Sequence, residues 1–273
     1  RSVGEPALHA GIPVLAHALS THDLARFARY GDQPHLYLAA GCNGLAEMYH
    51  KDSTVKREDL RILKPAILMP DKQVECQTTE HTLGILWTGH INADAGLMTL
   101  IDAVAQLRRK EHDLQLVLIG DGPDVRAVWE HARQMQVQHC ISLIDEPRLW
   151  DQAMYGADVY VVPACQNELS LAPLLAMAMG KIVLASRDQV ADWFVEDQTT
   201  WLFTPGSAVE LAYYLTRVLE KDRRVPELRK STTEYVRTHH VVSHLVTELI
   251  EVYRQISVDS ESVEQSLSGS SKP

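Results

Sequence analysis

Three short stretches of this chain hold residues that could bind or activate a substrate. In "VVPACQNELSLAPLLAMAMGKIVLAS" the carboxylate Glu168 sits between a polar loop and an apolar helix-like run. Ser170 reads as the N-cap, and Pro173 fits the first turn, where its missing N–H would have no partner anyway. A helix N-terminus offers free N–H groups and partial positive charge, which suits a phosphate. Glu168 would repel a phosphate in direct contact and is suited instead to the hydroxyls of a sugar beside it.

The second stretch, "LQLVLIGDGPDV", runs from an apolar strand into Gly120, Asp121, Gly122 and Pro123. One reading is a backbone that approaches a ligand closely at the carboxyl end of a strand. The other is a tight turn with Asp124 as the cap of the next helix, and both stand. The third stretch, "LWTGHINADAG", supplies Gly89 and His90 at another strand end. His90 could donate to an anion or be a loop histidine without a role.

Other groupings carry less. His239, His240 and His244 offer an i, i+4 pair without an acidic or thiol partner nearby, so a solvated helix face is expected there. Asp145 and Glu146 read as a cap before Pro147. No GxGxxG, GxSxG or P-loop pattern occurs, which removes the nicotinamide, flavin and nucleophile-elbow signatures.

These residues need strands and helices to hold them. From Leu83 onward, short apolar runs alternate with amphipathic ones, the sign of βαβ units and a parallel sheet. The expected strands are "LGILWTG", "LQLVLIG", "CISLI", "DVYVVP", "KIVLAS" and "TWLFTP". The expected helices span 97–110, 124–136, 147–155, 171–179, 188–195 and 207–221. In the first, Leu97, Leu100, Ile101, Val104 and Leu107 share one face, which should cover the sheet. Apolar runs "IPVLAHAL", "HLYLAAG" and "LKPAILMP" in the first 70 residues mark a less complete α/β unit.

The expected organisation is a first Rossmann-like unit at 1–70, a polar linker at 71–82 and a second unit at 83–238. A helix at 239–256 and a Ser- and Glu-rich disordered tail at 257–273 complete it. The chain opens at Arg1, with no glycine-rich strand-to-helix turn before its first strand, which reads as a fragment, or a mature or trimmed chain.

The 273 residues, 45% hydrophobic, suffice for a sizeable core. A net charge of −10 argues against nucleic acid or an anionic membrane surface as a general partner, though peripheral membrane contact stays open. Cys42, Cys76, Cys140 and Cys165 show no metal-ligand spacing and are expected to be reduced thiols. No transmembrane segment or leader is evident, so the expected location is the cytoplasm.

The order "ILWTGH", "LVLIGDGPD", "ISLI", "YGADVYVVPACQNELSLAPLLAMAMGKIVLAS" and "WLFTPG" resembles the nucleotide-sugar-binding domain of the GT-B glycosyltransferases, in particular the retaining family 4 (group 1). The likeness covers about residues 83–222. "GIPVLAHAL", "HLYLAAGCNGLAEMYHK" and "ILKPAILMP" look like the last part of the acceptor-side domain. The fold implied is α/β, with two Rossmann-like domains on parallel sheets, the N-terminal one incomplete.

The resemblance implies a hexosyltransferase-type reaction, in which a sugar passes from a nucleotide sugar (UDP-, GDP- or ADP-linked) to an acceptor with retention. No metal is needed for the leaving diphosphate. Gly120, Asp121, Gly122 and Pro123 would line the donor pocket, with Gly89 and His90 at the neighbouring strand end. Leu143 to Asp145 would lie beside the base, and the stretch Asn167, Leu169, Ser170 and Leu171 at the helix start would receive the diphosphate. Glu168 matches the first Glu of the family's E-x7-E motif, which contacts the donor sugar.

The second Glu of that motif, which holds the ribose, falls on Ala176. The family's strand-end Arg and Lys, which neutralise the diphosphate, fall on His90 and Ala95. Glu168-Leu169-Ser170-Leu171 stands where E-G-F-G is usual, with two glycines replaced.

Three functions are therefore carried forward. The first is a glycosyltransferase acting on a glycan, lipid-linked or small-molecule acceptor in polysaccharide biosynthesis. The second is an inactive relative that binds or scaffolds in polysaccharide assembly. The third is an unrelated doubly wound nucleotide-binding domain.

Overall fold

The computed structural model describes residues 7–8, 12–28, 36–52, 60–70, 82–145, 150–165 and 168–269. Nearly all of the expected linker, together with Asn167, lies outside the described residues.

The first unit pairs three parallel strands in the order β1-β2-β3: β1 (Val14–Ala18), β2 (Leu36–Ala40) and β3 (Leu60–Ile62). Helices α1 (Thr21–Ala28) and α2 (Asn43–Asp52) follow the first two strands. The third strand is the "LRI" just before the apolar run "LKPAILMP". Within the run only Ile67 bridges, to Val241. Pro65 and Pro70 carry no N–H for a ladder, and Leu68 faces out at 79% exposure.

The second unit is a six-stranded parallel sheet of β4 (Leu83–Thr88), β5 (Leu114–Ile119), β6 (Ile141–Ile144), β7 (Val159–Val162), β8 (Ile182–Ser186) and β9 (Trp201–Phe203). Its order is β6-β5-β4-β7-β8-β9. The chain builds outward from β4 to β6, then returns to build outward again from β7. This is the doubly wound order, and it places a crevice between the carboxyl ends of β4 and β7.

Alternation along the strands divides the core. Ile85 and Trp87 of β4, with Leu116 and Leu118 of β5, face α3 (Leu97–Arg109), α4 (Val125–Gln134) and α7 (Ala208–Leu219). Leu86 and Tyr160 face the opposite layer, where α6 (Ala172–Ala178), Trp193 and α8 (Arg224–His239) pack. Burial on both faces is what a parallel sheet requires. The stripe Leu97, Leu100, Ile101, Val104 and Leu107 is buried as its spacing predicts.

The short helix α5 (Trp150–Gly156) precedes β7. The helix expected at 188–195 is not formed. Its backbone turns outward to meet the first unit: the Val190 carbonyl takes the Cys42 thiol, and Asp192 takes amides of α2. A helical ladder would have used the Val190 carbonyl.

The last helix, α9 (Val242–Gly269), begins after the expected 239 and runs past the expected end at 256, so 257–269 is helical rather than a disordered tail. That segment is free of proline and reaches its first glycine only at Gly269, so nothing stops the helix earlier. Leu249, Val252 and Ile256 of α9 pack on Ala39 and Leu63 of the first unit. Among the described residues no helix is long and apolar enough to cross a membrane.

Candidate active site

The crevice predicted by strand order is occupied by the loops after β4, β5 and β7. Beyond the sheet, the first two loops continue as a ladder. Gly89 N–H donates to the Ile119 carbonyl at 3.0 Å, Ile91 N–H to the Asp121 carbonyl at 2.9 Å, and Gly120 N–H to the Ile144 carbonyl at 2.9 Å.

This ladder explains the Gly-Asp-Gly sequence. Gly120 adopts φ +151°, and a Cβ there would lie 1.9 Å from the Gly89 carbonyl oxygen. A Cβ on Gly122 would lie 2.0 Å from the Ile91 carbonyl oxygen. Both glycines are required by backbone packing of one loop on the other, which favours the tight-turn reading. Asp124 holds the N-cap position of α4 without a side-chain cap bond.

A cavity of about 550 Å³ opens on these loops. Of the residues singled out in the sequence, it brings together Gly89, His90, Gly120, Asp121 and Leu171, and adds Thr88, Ile119, Trp150 and Ala172. Gly122, Pro123, Leu143 and Asp145 are outside its lining. Ala176 is fully buried on α6 between Leu174 and Met177 and lines no described cavity. Ala95, where the resemblance places a lysine, is also fully buried.

A second cavity, of about 830 Å³, lies between the two units. Ser20, His22 and Asp23 of the first unit face His90, Asn92, Asp94, Cys165 and Glu168 of the second. His90 lines both cavities and is exposed. Among the described lining residues of the two cavities, the ionisable side chains are carboxylates, histidines and the Cys165 thiol, with neither Lys nor Arg.

The sequence singled out no first-unit residue for this site, since Ser20, His22 and Asp23 meet Glu168 only across the interface. Ser20 followed by Asp23 could have been read as a capping pattern: the Asp23 amide donates to Ser20 Oγ at 3.0 Å, and Asp23 Oδ2 takes the Leu19 amide at 3.3 Å.

At the floor of the crevice, Thr88 Oγ1 and the Tyr160 hydroxyl lie 2.8 Å apart. Burial pushes the Tyr160 hydroxyl up to about 12, so it stays protonated and serves as a neutral hydrogen-bonding group. Burial likewise raises the Cys42 thiol to about 11 and raises Cys165, which makes them poor nucleophiles.

The helix start differs from the expectation in detail. Helix α6 begins at Ala172 with Leu171 at the N-cap position, and Ser170 Oγ accepts the Ala172 amide at 3.3 Å. Pro173 lies in the first turn and has no N–H to offer.

A family model described as "Glycosyl transferases group 1" matches residues 82–221. The alpha-D-kanosaminyltransferase of Streptomyces kanamyceticus is 27% identical over 182 residues, which is 64% of this chain and 46% of that protein. The lipopolysaccharide 1,2-N-acetylglucosaminetransferase of Salmonella typhimurium is 29% identical over 161 residues, or 54% of this chain and 42% of that protein. The matches to these curated relatives thus span less than half of their length.

Among solved structures, Anabaena HepE in complex with UDP and glucose superposes with a TM-score of 0.78 at 14% identity, over 91% of this chain and 73% of that one. Sucrose-phosphate synthase from Thermosynechococcus elongatus gives 0.71 at 17% identity, over 93% and 77%. These likenesses establish the fold, which is the two-unit GT-B α/β architecture with parallel sheets.

Proposed function

Because this chain belongs to the group 1 glycosyl transferases, we propose that it transfers a sugar from a nucleotide sugar to a hydroxyl-bearing acceptor with retention at the anomeric carbon. The observation that carries this reading is the 550 Å³ cavity at the strand-order crevice, continuous through His90 with the inter-unit cavity that holds Glu168. The first is the space for a nucleotide, and the second is the space for two sugars and their junction.

Glu168 accepts hydroxyl hydrogens of the donor sugar, and His90, at the boundary of the two cavities, donates to the leaving phosphate. Trp150 offers an aromatic face in the nucleotide cavity. The site supplies charge stabilisation by His90 and backbone amides, without a lysine or arginine among the described lining residues. No metal is called for in this reading.

HepE is described with UDP and with UDP-glucose, so a UDP-linked sugar is the first donor to try. The acceptor is a glycan, a lipid-linked saccharide or a small molecule. The cytoplasm is the proposed location.

The test is calorimetry or thermal shift with UDP-, GDP- and ADP-sugars, followed by detection of released sugar and of transfer products. Binding with transfer supports the reading, and retained anomeric configuration by NMR supports its stereochemistry. Binding without hydrolysis or transfer would make the chain a nucleotide-sugar-binding relative, and no response to any nucleotide would overturn the donor site.

A further inference from the structure

A third cavity, of about 30 Å³, adjoins both of those described above. It shares Thr88 with the cavity at the crevice, and Glu168 and Leu169 with the inter-unit cavity. Trp87, Val161, Pro163, Ala191 and Phe194 give it a largely apolar wall. Its volume has room for about two water-sized groups.

Trp193 also lines this cavity, and it lines neither of the larger two. The residue is 1% exposed, and its indole Nε1 has no hydrogen-bond partner among the described residues. An indole N–H can only donate, and a buried donor without an acceptor is costly. A ligand group that carries an acceptor into the cavity relieves that cost. The hydroxyls of Thr88 and Tyr160, 2.8 Å apart, stand in the same lining.

The group that matches such a cavity is small, has an apolar body and carries a hydrogen-bond acceptor. A sugar hydroxyl has the acceptor without the apolar body; an acetyl group has both. We infer that this cavity is a selectivity pocket for the N-acetyl group of a 2-acetamido donor sugar, with the methyl against the apolar wall and the carbonyl oxygen accepting from the Trp193 indole N–H.

The inference rests on the donor-site reading given above, in which the sugar lies where the two larger cavities meet. C2 of the sugar is next to the anomeric carbon. Its substituent is therefore close to the boundary marked by Thr88 and Glu168, where the small cavity adjoins both.

Calorimetry on the whole chain with UDP-N-acetylglucosamine, UDP-glucose and UDP tests the pocket. The acetamido sugar is expected to bind about tenfold more tightly than glucose, the scale of one hydrogen bond to a buried donor. Trp193→Phe keeps an aromatic ring and removes the N–H. It should erase most of the preference and leave UDP affinity unchanged. In the parent, the Trp193 indole N–H resonance should shift with the acetamido sugar beyond any shift that UDP-glucose produces.

Equal affinities for the two sugars overturn the pocket and make the cavity a site for ordered water. A preference that survives Trp193→Phe overturns the role of the indole N–H. If that variant does not fold, the parent's indole resonance carries the test, and a resonance that responds alike to both sugars overturns the contact. Should the chain bind GDP or ADP instead of UDP, the same two sugars on that nucleotide give the comparison. Failure to bind any of these nucleotides is a different result: it sinks the donor site, and the inference with it.

Discussion

Asp192 accepts two hydrogen bonds from Asn43, from its backbone N–H at 2.9 Å and from Nδ2 at 2.7 Å. Its other oxygen takes the Gly44 amide at 3.3 Å. A carboxylate of the second unit thus caps a helix of the first unit, where negative charge and amide donors meet favourably.

Asp192→Ala should therefore cost about 1–2 kcal/mol, the scale of a lost cap, and loosen the interface. Denaturant unfolding measures the loss. Hydrogen exchange at residues 43 and 44 should accelerate along with it; a stability loss without faster exchange there would mean that the carboxylate acts elsewhere.

Gly120→Ala should be far worse than its one added methyl suggests. The Cβ meets the Gly89 carbonyl, and the backbone at φ +151° is strained for any side chain. Gly206, at φ +77° with nothing within 4 Å of a built Cβ, is the control. Gly206→Ala should cost about 1–2 kcal/mol, the left-handed penalty alone. Gly120→Ala should lower Tm by clearly more, or prevent folding, and equal shifts would contradict the close approach.

Glu168→Ala should weaken binding of a UDP-sugar more than of UDP. Glu168 lines the inter-unit cavity and not the cavity at the crevice. Loss of a charge-assisted hydrogen bond to a hydroxyl predicts about a tenfold difference. Calorimetry with both ligands decides, and equal losses would contradict the sugar-gripping role.

Stability should fall as the medium becomes mildly acidic. Burial, the largest cause, lowers the pKa of both His240 and His17 from 6.5, so both are neutral in the fold. His240 Nδ1 lies 2.8 Å from the Pro65 carbonyl, and His17 Nε2 lies 2.8 Å from the Leu63 carbonyl. Below the unfolded value of about 6.5 the unfolded chain binds protons that the folded one refuses, so stability drops from there down to the lowered folded values. Above that pH the full contribution is present. His240→Asn keeps a donor for Pro65 and should flatten the decline between pH 7 and 5.5, read from urea unfolding at each pH; an unchanged slope would rule out His240 as a source.

Much of the second unit was legible in the sequence because its signals are local. Strand runs such as "LGILWTG" and the stripe on α3 follow from periodicity, whereas the strand order, with β7 returning to pair with β4, is set by tertiary pairing. The strand-end positions of Gly89, His90 and Gly120 are read from the same runs. The helix expected at 188–195 is lost because the Val190 carbonyl takes the Cys42 thiol and the Asp192 carboxylate takes amides at the start of α2, both in the first unit.

By itself, then, the sequence determined the family, the alternating α/β pattern and the carboxylate at the mouth of α6. These depend on residue order over a few turns or strands. Only the tertiary structure decided that the two glycines of "GDG" serve a backbone ladder, that Ala95 and Ala176 are buried, and that Ser20, His22 and Asp23 share a cavity with Glu168. It also decided that the Leu169 amide is held by Leu19, about 150 residues earlier in the chain. Contacts between units so far apart depend on how two finished sheets dock, and no local pattern of residue types encodes that register.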